Sequence, residues 1–373
     1  MIADLVLVVC AGALIYSYVI YPMLLAMVTR RVPTAPRDPQ EWPTVTILVS
    51  VYNERKHIAA RLANFLALDY PSERVQFLVG SDGSTDETED ILSSCVDPRL
   101  RFERMPARGG KPRVLNRLVS LAGNELLVFT DANTMFAADA LKKLARHFQN
   151  PAIGGVCGRL QLEGKSETDE GLYWRLETFL KTRESRLDSC LGANGGIYAI
   201  RRTMWPGLPN NAFADDFVIG MRVRENGSRV IYDPDAVAVE DMPEKVSAEF
   251  ARRVRIGAGG YQSLVLCWRS LLPWRGMYTW AFWSHKVLRW LGPFFMVGAL
   301  VANVLMPSGA WRSAILAVQL LFYALAAIGA TSLGRSTVFT VPQYFLAMNY
   351  ALLMGFFRFL TGRQRAAWQR TTR

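Results

Sequence analysis

Histidine is scarce in this chain, with three among 373 residues, so a histidine-ligated metal centre has little to be built from. Cysteine is no richer in patterns. Cys10, Cys95, Cys157, Cys190 and Cys267 are scattered with no Cys-x-x-Cys pair, which argues against a zinc site or a disulfide framework and fits a reducing compartment. Each is expected as a small buried apolar residue, with Cys190 the one candidate for reactivity. Charge is low as well. At 20% charged against 51% hydrophobic residues, the composition does not suit an ordinary soluble protein. No repeat or low-complexity tract offers a clue to a partner.

The missing charge is localised. Leu5–Val28, Trp290–Trp311, Ser313–Gly334 and Ser336–Phe357 carry none, and each reaches the ~20 residues that span a bilayer. The first run is too long for a signal peptide, Asp4 spoils a basic start, and no small-x-small cleavage site follows, so it reads as an anchor. Net charge is +11, with Arg30, Arg31, Arg37, Arg269, Arg275, Lys286 and Arg289 flanking the apolar runs. Basic residues at membrane edges place the polar middle of the chain in the cytosol and favour anionic lipid over nucleic acid as partner; a bacterial inner membrane is the expected setting. Trp274–Trp290 mixes tryptophans with basic residues and reads as an interfacial stretch. The tail, with Arg358, Arg363, Arg365, Arg370 and Arg373 and no acid, should also be cytosolic. Three crossings after the domain would put it outside, so one late run is expected to be re-entrant or interfacial, or the tail breaks the rule. The resulting layout is an anchor (1–30), a cytosolic domain (31–245), an arginine-bearing interfacial region (246–290), C-terminal membrane segments (291–361) and a basic tail (362–373).

Within the cytosolic domain, Val45–Val51, Val75–Gly80 and Leu126–Thr130 are short apolar, β-branched runs that suit buried parallel strands. Helical patterns follow Glu54 and cover Lys111–Leu121, and this alternation implies a right-handed α/β unit with a mainly parallel sheet. The strands end at Tyr52-Asn53-Glu54, at Asp82 in Gly-Ser-Asp-Gly-Ser-Thr-Asp, and at Asp131 in Asp-Ala-Asn133; Ser84-Thr85-Asp86-Glu87 then reads as a helix start capped by Ser or Thr. A third acidic pair, Asp215-Asp216, opens a helical pattern, where acids also favour the helix dipole. Carboxylates at the carboxyl ends of parallel strands converge where α/β proteins bind nucleotides, and carboxylate oxygens suit Mg2+ or Mn2+. A nucleoside diphosphate held by a divalent metal is the first hypothesis.

In order, Val-Tyr-Asn-Glu, Ser-Asp-Gly-Ser-Thr-Asp, Gly-Lys-x-x-x-Leu-Asn, Asp-Ala-Asn, Ala-Asp-Asp and Arg-x-x-Arg-Ile occur between Trp42 and about Gln262. This series resembles the membrane-bound family-2 glycosyltransferases of GT-A fold, relatives of polysaccharide and glycolipid synthases. The resemblance implies that Tyr52, Glu54 and Asp82 hold the nucleoside, that Lys111 approaches the donor, and that Asp131 and Asn133 carry the metal and diphosphate. Asn133 stands where the family pattern has a second acid, so it adds a carbonyl but no charge. Asp215-Asp216 matches the motif whose last Asp is the catalytic base. Arg252 to Ile256 matches Gln-x-x-Arg-Trp, with Arg255 facing the leaving diphosphate, Arg252 replacing Gln and Ile256 replacing Trp. Asn194 and Arg201, in the Ala193–Arg202 segment, are acceptor-side candidates.

These implications make an inverting, metal-dependent transferase that moves a sugar, with uridine the expected base, onto a lipid-linked or membrane-embedded acceptor. The absent Trp and the few membrane segments weigh against the nearest rival, a processive exopolysaccharide synthase. A non-catalytic membrane scaffold or transporter is the rival of another class, and the intact Asp82, Asp131 and Asp216 weigh against it. A soluble sugar-phosphate nucleotidyltransferase would share the sheet but not the membrane runs.

Overall fold

Val45-Thr-Ile-Leu-Val-Ser-Val51 forms strand β1, buried at every position but one, as a strand covered on both faces must be. The computed structural model describes residues 2–30, 36–163, 169–241, 246–331, 334 and 336–363. β1 pairs in parallel with β2 (Val75–Ser81) and β4 (Leu126–Thr130), and β2 with β3 (Leu100–Arg104). In this register Val51 lies opposite Ser81, and Val49 opposite Thr130. The carboxyl ends of three strands therefore finish on one edge, and the residues that follow them, Tyr52, Asp82 and Asp131, emerge side by side.

The sheet continues beyond this parallel block. With β5 (Thr134–Phe136), β6 (Ile153–Glu163), β7 (Tyr198–Arg201) and β8 (Arg229–Asp241), the order is β3-β2-β1-β4-β7-β6-β8-β5. β7 is antiparallel to both β4 and β6, β6 and β8 are parallel, and β5 closes the edge antiparallel to β8. The sheet is thus mixed, with the expected parallel pattern strongest in the half that precedes Asp131. β6 and β8 are long because each runs on past a register shift at Gly158/Arg159.

Each face of the sheet has its own core. Ile47, Val49, Phe77 and Val128 pack on Ile58, Phe65, Leu92 and Leu141 on one side. On the other, Leu48, Leu78 and Phe129 meet Val114 and Leu118, joined by Tyr21 and Leu25 of the N-terminal helix and by Tyr278 and Phe282. The inner end of the N-terminal helix is therefore part of the domain's core.

Two described helices are long and apolar enough to cross a membrane, Ile2–Val28 and Ala310–Gly329; a third candidate is the pair Met277–Trp290 and Gly292–Leu305, bent by 62° at its break. The bent pair begins within the stretch expected to be interfacial. Thr337–Leu360 is long but does not meet the same standard, and it lies along the Val246–Leu266 helix. Close approach there uses small residues: a Cβ on Gly355 would come within 3 Å of the backbone at Val254, Gly257 and Ala258. Of the three late apolar runs, only Ala310–Gly329 is a straight helix meeting both criteria. Most of the basic tail lies outside the described residues.

Candidate active site

The loops after β1 and β2 are latched to each other before any ligand is considered. Asn53 takes a positive φ of 55°, a conformation that Asn tolerates better than most residues. Its amide donates to Ser84 Oγ at 3.0 Å, and its Oδ1 accepts from Thr85 N at 2.7 Å. Asp86 reaches both ways, accepting from Thr88 N at 3.1 Å and from Arg55 N at 3.2 Å. Asp86, not Ser84 or Thr85, therefore serves the start of the Thr88–Ser94 helix.

Asp82 is buried, and both carboxylate oxygens are used: Oδ1 accepts from Gly109 N at 2.6 Å and Oδ2 from Gly110 N at 2.8 Å. Its visible task is to hold the loop that carries Lys111. Gly110 has φ 88°, where an L side chain would be strained, and so presents its amide to Asp82 just as the Lys111–Leu121 helix begins. Arg108 of the same loop stacks over the Tyr52 ring at 3.9 Å. Glu54 is engaged by His57 at 2.8 Å. Tyr52, Glu54, Asp82, Arg108, Lys111, Asp131 and Asn133 line one cleft. A roomier cavity of about 350 Å³ lies at the far end of the Asp215–Glu225 helix, lined by Arg222 and Trp268, and contains none of these acids.

Lys111 joins two of the acidic motifs. Its Nζ is 2.9 Å from Asp131 Oδ1 and 3.3 Å from Asp215 Oδ2. Burial works against its charge, but Asp131, Asp215 and Asp216 outweigh that and hold the ammonium above the ordinary lysine range. Asp215 Oδ2 is buried and receives no hydrogen bond among the described residues, since the contact with Lys111 meets ion-pair but not hydrogen-bond geometry. Asp216 next to it is half-buried, and burial with the neighbouring Asp215 pushes its carboxyl up to about 6 against the pull of Lys111. Its Oδ1 accepts from Phe217 N at 2.8 Å, the helix-start role that acids favour. A carboxylate with a pKa near 6 is suited to taking a proton at neutral pH.

No described cluster of three or more His, Cys, Asp or Glu side chains has metal-binding geometry. The residues present nonetheless fit a hard divalent cation. Asn133 Nδ2 donates to Glu240 at 3.0 Å, which turns its carbonyl the other way. Asp131 supplies a carboxylate, and the buried Asp215 Oδ2 has no hydrogen-bond donor among the described residues. Mg2+ and Mn2+ commonly take one or two protein oxygens and complete their shell with water and substrate phosphate.

The arginine motif lies on the Val246–Leu266 helix, where Arg252, Arg255, Gly259 and Gln262 share a face. Gln262 bonds Phe213 N and Asn211 O at 2.9 Å each, and a Cβ on Gly259 would meet Ala214 at 3.0 Å. That face therefore packs on the segment leading into Asp215, which brings Arg252 and Arg255 to its side of the helix. Ile256 is 48% exposed.

Asn194 is held beside Asp216. Its Nδ2 donates to Gly158 O at 2.8 Å, its amide approaches Cys157 Sγ at 3.1 Å, and Lys181 Nζ donates to its Oδ1. A Cβ on Gly195 would lie 3.1 Å from Asp216 Oδ2. Arg201 is not brought to this cluster. It pairs opposite Leu126, so it stands at the far end of β4 from Asp131, roughly 16 Å along the strand, and is spent on the carbonyls of Phe148, Asn150 and Ile153. Cys190 is buried as expected, and the neighbouring Cys157 and burial push its thiol well up, away from reactivity, while Cys157 is drawn down to about 7, since hydrogen bonding and the Lys181 ammonium outweigh burial.

Three residues at the site escaped the sequence reading. Arg61, fully buried, donates to Thr130 Oγ1 at 2.9 Å, directly behind Asp131. Tyr198 is buried beneath the aspartates, and its hydroxyl has no hydrogen-bond partner among the described residues. Lys181 is the third. Arg61 could have been flagged as a cation among the apolar positions of an amphipathic helix; Tyr198 and Lys181 carry no local signal.

The sequence matches the family model for glycosyl transferase family 2 over residues 46–204 and that for glycosyl transferase family group 2 over residues 126–331. It is 25% identical over 283 residues to an N-acetylglucosaminyltransferase of Rhizobium sp. (strain N33), covering 70% of this chain and 62% of that protein. It is also 25% identical over 236 residues to a poly-beta-1,6-N-acetyl-D-glucosamine synthase of Staphylococcus aureus (strain COL), covering 59% and 55%. The chain thus spans less than two thirds of the length of these two relatives. Among solved structures, a mannosyltransferase of Pyrobaculum calidifontis in complex with GDP-Man and Mn2+ superposes with a TM-score of 0.78 at 22% identity, covering 97% of this chain and all of that one. That likeness shows the fold.

Proposed function

The chain belongs to glycosyl transferase family 2, related to polysaccharide synthases, and on that premise we propose that it transfers a sugar from a nucleoside-diphosphate donor, with UDP the expected nucleotide, to a lipid-linked acceptor at the cytosolic face of a membrane. The observation that carries the proposal is the Lys111–Asp131–Asp215 cluster with Asp216, raised to about 6, beside it.

Asp216 takes the proton of an acceptor hydroxyl. The freed oxygen pair bonds to the anomeric carbon from the face opposite the diphosphate, the bond to the diphosphate oxygen breaks, and that oxygen leaves with its electrons. A single displacement inverts the anomeric configuration. Lys111 and Arg255 are the cations available to the departing charge. Mg2+ or Mn2+, when bound at Asp131 and Asn133, neutralises diphosphate charge. Tyr52, Glu54 and Asp82 form the nucleoside side of the cleft, Arg252 stands with Arg255 on the arginine helix, and Asn194 flanks the acceptor side.

The two named relatives favour N-acetylglucosamine as the sugar and, in the case of the staphylococcal synthase, repeated addition as a second reading. Against repeated addition stands Ile256, an exposed aliphatic where the synthase pattern offers a sugar an aromatic surface. The test is release of nucleoside diphosphate from UDP-N-acetylglucosamine, other UDP-sugars and GDP-mannose by full-length protein in nanodiscs, with Mg2+ or Mn2+, with and without membrane lipid extract. Lipid-dependent release that disappears in Asp216→Asn supports the proposal, and product length separates single from repeated addition. Failure of every donor to bind overturns it.

A further inference from the structure

Two buried lysines bracket Asp215-Asp216. Lys111 is accounted for by its ion pairs with Asp131 and Asp215. Lys181, 9% exposed, has no carboxylate at ion-pair distance among the described residues; its ammonium donates to the neutral amide of Asn194. Burial disfavours this charge, but the facing Cys157, Cys190 and Glu177 outweigh it and hold the ammonium above the ordinary lysine range; the hydrogen bond of that ammonium is given to Asn194, on the Asp216 side.

The helix that carries Lys181 is held rigidly. Glu177, Lys181 and Glu184 fall at i, i+4 and i+7 of the Asp169–Leu187 helix and so share one face. Glu184 accepts from Tyr21 of the N-terminal helix at 2.8 Å and meets His285 at 2.6 Å, while Glu177 is bound by His285 at 3.0 Å, Lys286 at 2.9 Å and Arg289 at 3.2 Å. The two flanking acids are thus committed to membrane-side elements, and Lys181 between them points to the other partner. There Asn194 is gripped from three directions, by Lys181, by the Gly158 carbonyl and by Cys157. Gly195 follows immediately, close enough to Asp216 that a Cβ would stand 3.1 Å from its Oδ2.

We propose that Lys181 is a positioning residue for the acceptor: it fixes Asn194-Gly195 as the floor beside Asp216 on which the acceptor hydroxyl is presented to that carboxylate. The proposal rests on Asp216 being the base. Lys181 acts through Asn194 and touches neither the donor nor the reacting atoms, so its loss should impair use of the acceptor while sparing attack by water on the donor.

The test uses full-length protein in nanodiscs with UDP-N-acetylglucosamine and GDP-mannose, comparing wild type, Lys181→Met, Asn194→Ala and the double variant. Donor hydrolysis without lipid extract is read beside transfer as a function of extract concentration. In Lys181→Met, hydrolysis should stay within about 2-fold of wild type while the half-saturating extract rises about 10-fold, as a displaced reactant requires. The double variant should be no worse than the poorer single one, since both break one linkage. An unchanged half-saturation overturns the proposal. So does a parallel fall of hydrolysis and transfer with a lowered melting temperature, which would make Lys181 purely structural. If Lys181→Met does not fold, Lys181→Arg keeps the charge but displaces it, and wild-type half-saturation there also overturns the proposal. The variants are compared on whichever donor of the wider panel wild type turns over; a wild type that binds none of them removes the base assignment itself, a failure separate from that of Lys181.

Discussion

Lys111 Nζ lies 3.3 Å from Asp215 Oδ2, joining segments more than a hundred residues apart in the chain. With Asp131 on its other side, the ammonium is the hub that keeps two carboxylates together in a mostly buried site.

Lys111→Met removes that hub and leaves Asp131 and Asp215 facing each other uncompensated. Breaking a buried pair this way costs about 3 kcal/mol, so thermal unfolding in detergent should show a clear drop. Added Mn2+ should recover part of it by replacing the lost positive charge.

Asp216→Asn keeps the shape of the helix start and loses the base. Turnover should fall by about 10²–10⁴-fold, while calorimetry finds donor affinity near that of wild type.

The pH dependence follows from the same group. With Asp216 pushed up to about 6, kcat/KM at fixed metal should rise with pH and level off above about 6, because the protonated acid cannot accept a proton. For stability the sign is opposite. The folded-state pKa lies above the unfolded value of 3.8, so the contribution to stability is fully present below about 4 and is lost as pH rises through about 6. In the absence of divalent metal, Asp216→Asn should therefore melt higher than wild type at pH 7 and lose that advantage by pH 4.

Chelation with EDTA should abolish transfer and leave the fold intact. Mn2+ titration followed by electron paramagnetic resonance should show weaker binding in Asp131→Asn, and a milder loss in Asn133→Ala, since a carboxylate contributes charge and an amide only a dipole.

Tyr21→Phe deletes the hydrogen bond that the N-terminal helix gives to fully buried Glu184. Leaving that acceptor short of a donor costs roughly 1–3 kcal/mol, read as a lower melting temperature in detergent.

Much of the candidate site was legible in the sequence. The strands Val45–Val51 and Leu126–Thr130 and the helix Lys111–Leu121 appear with the residues expected of them, because continuous β-branched runs and amphipathic spacing are local signals. A strand tip is as local as the strand, so Tyr52, Asp82 and Asp131 could be named with their loops. Arg201 shows the limit. It lies within a motif, but β7 runs antiparallel to β4 and carries it to the wrong end, and strand direction is set by long-range pairing.

By itself, then, the sequence determined the strand ends, the acidic motifs, the apolar segments and the order in which they occur, since each depends on residues within one or two turns of each other. Tertiary structure alone decided that Lys111 bridges Asp131 and Asp215, that Arg61 backs Thr130, that the N-terminal helix enters the core through Tyr21, and that Lys181 reaches Asn194. The physical reason is common to all four. A charge can be buried only where a partner from another segment meets it, and no local pattern encodes which segment that will be.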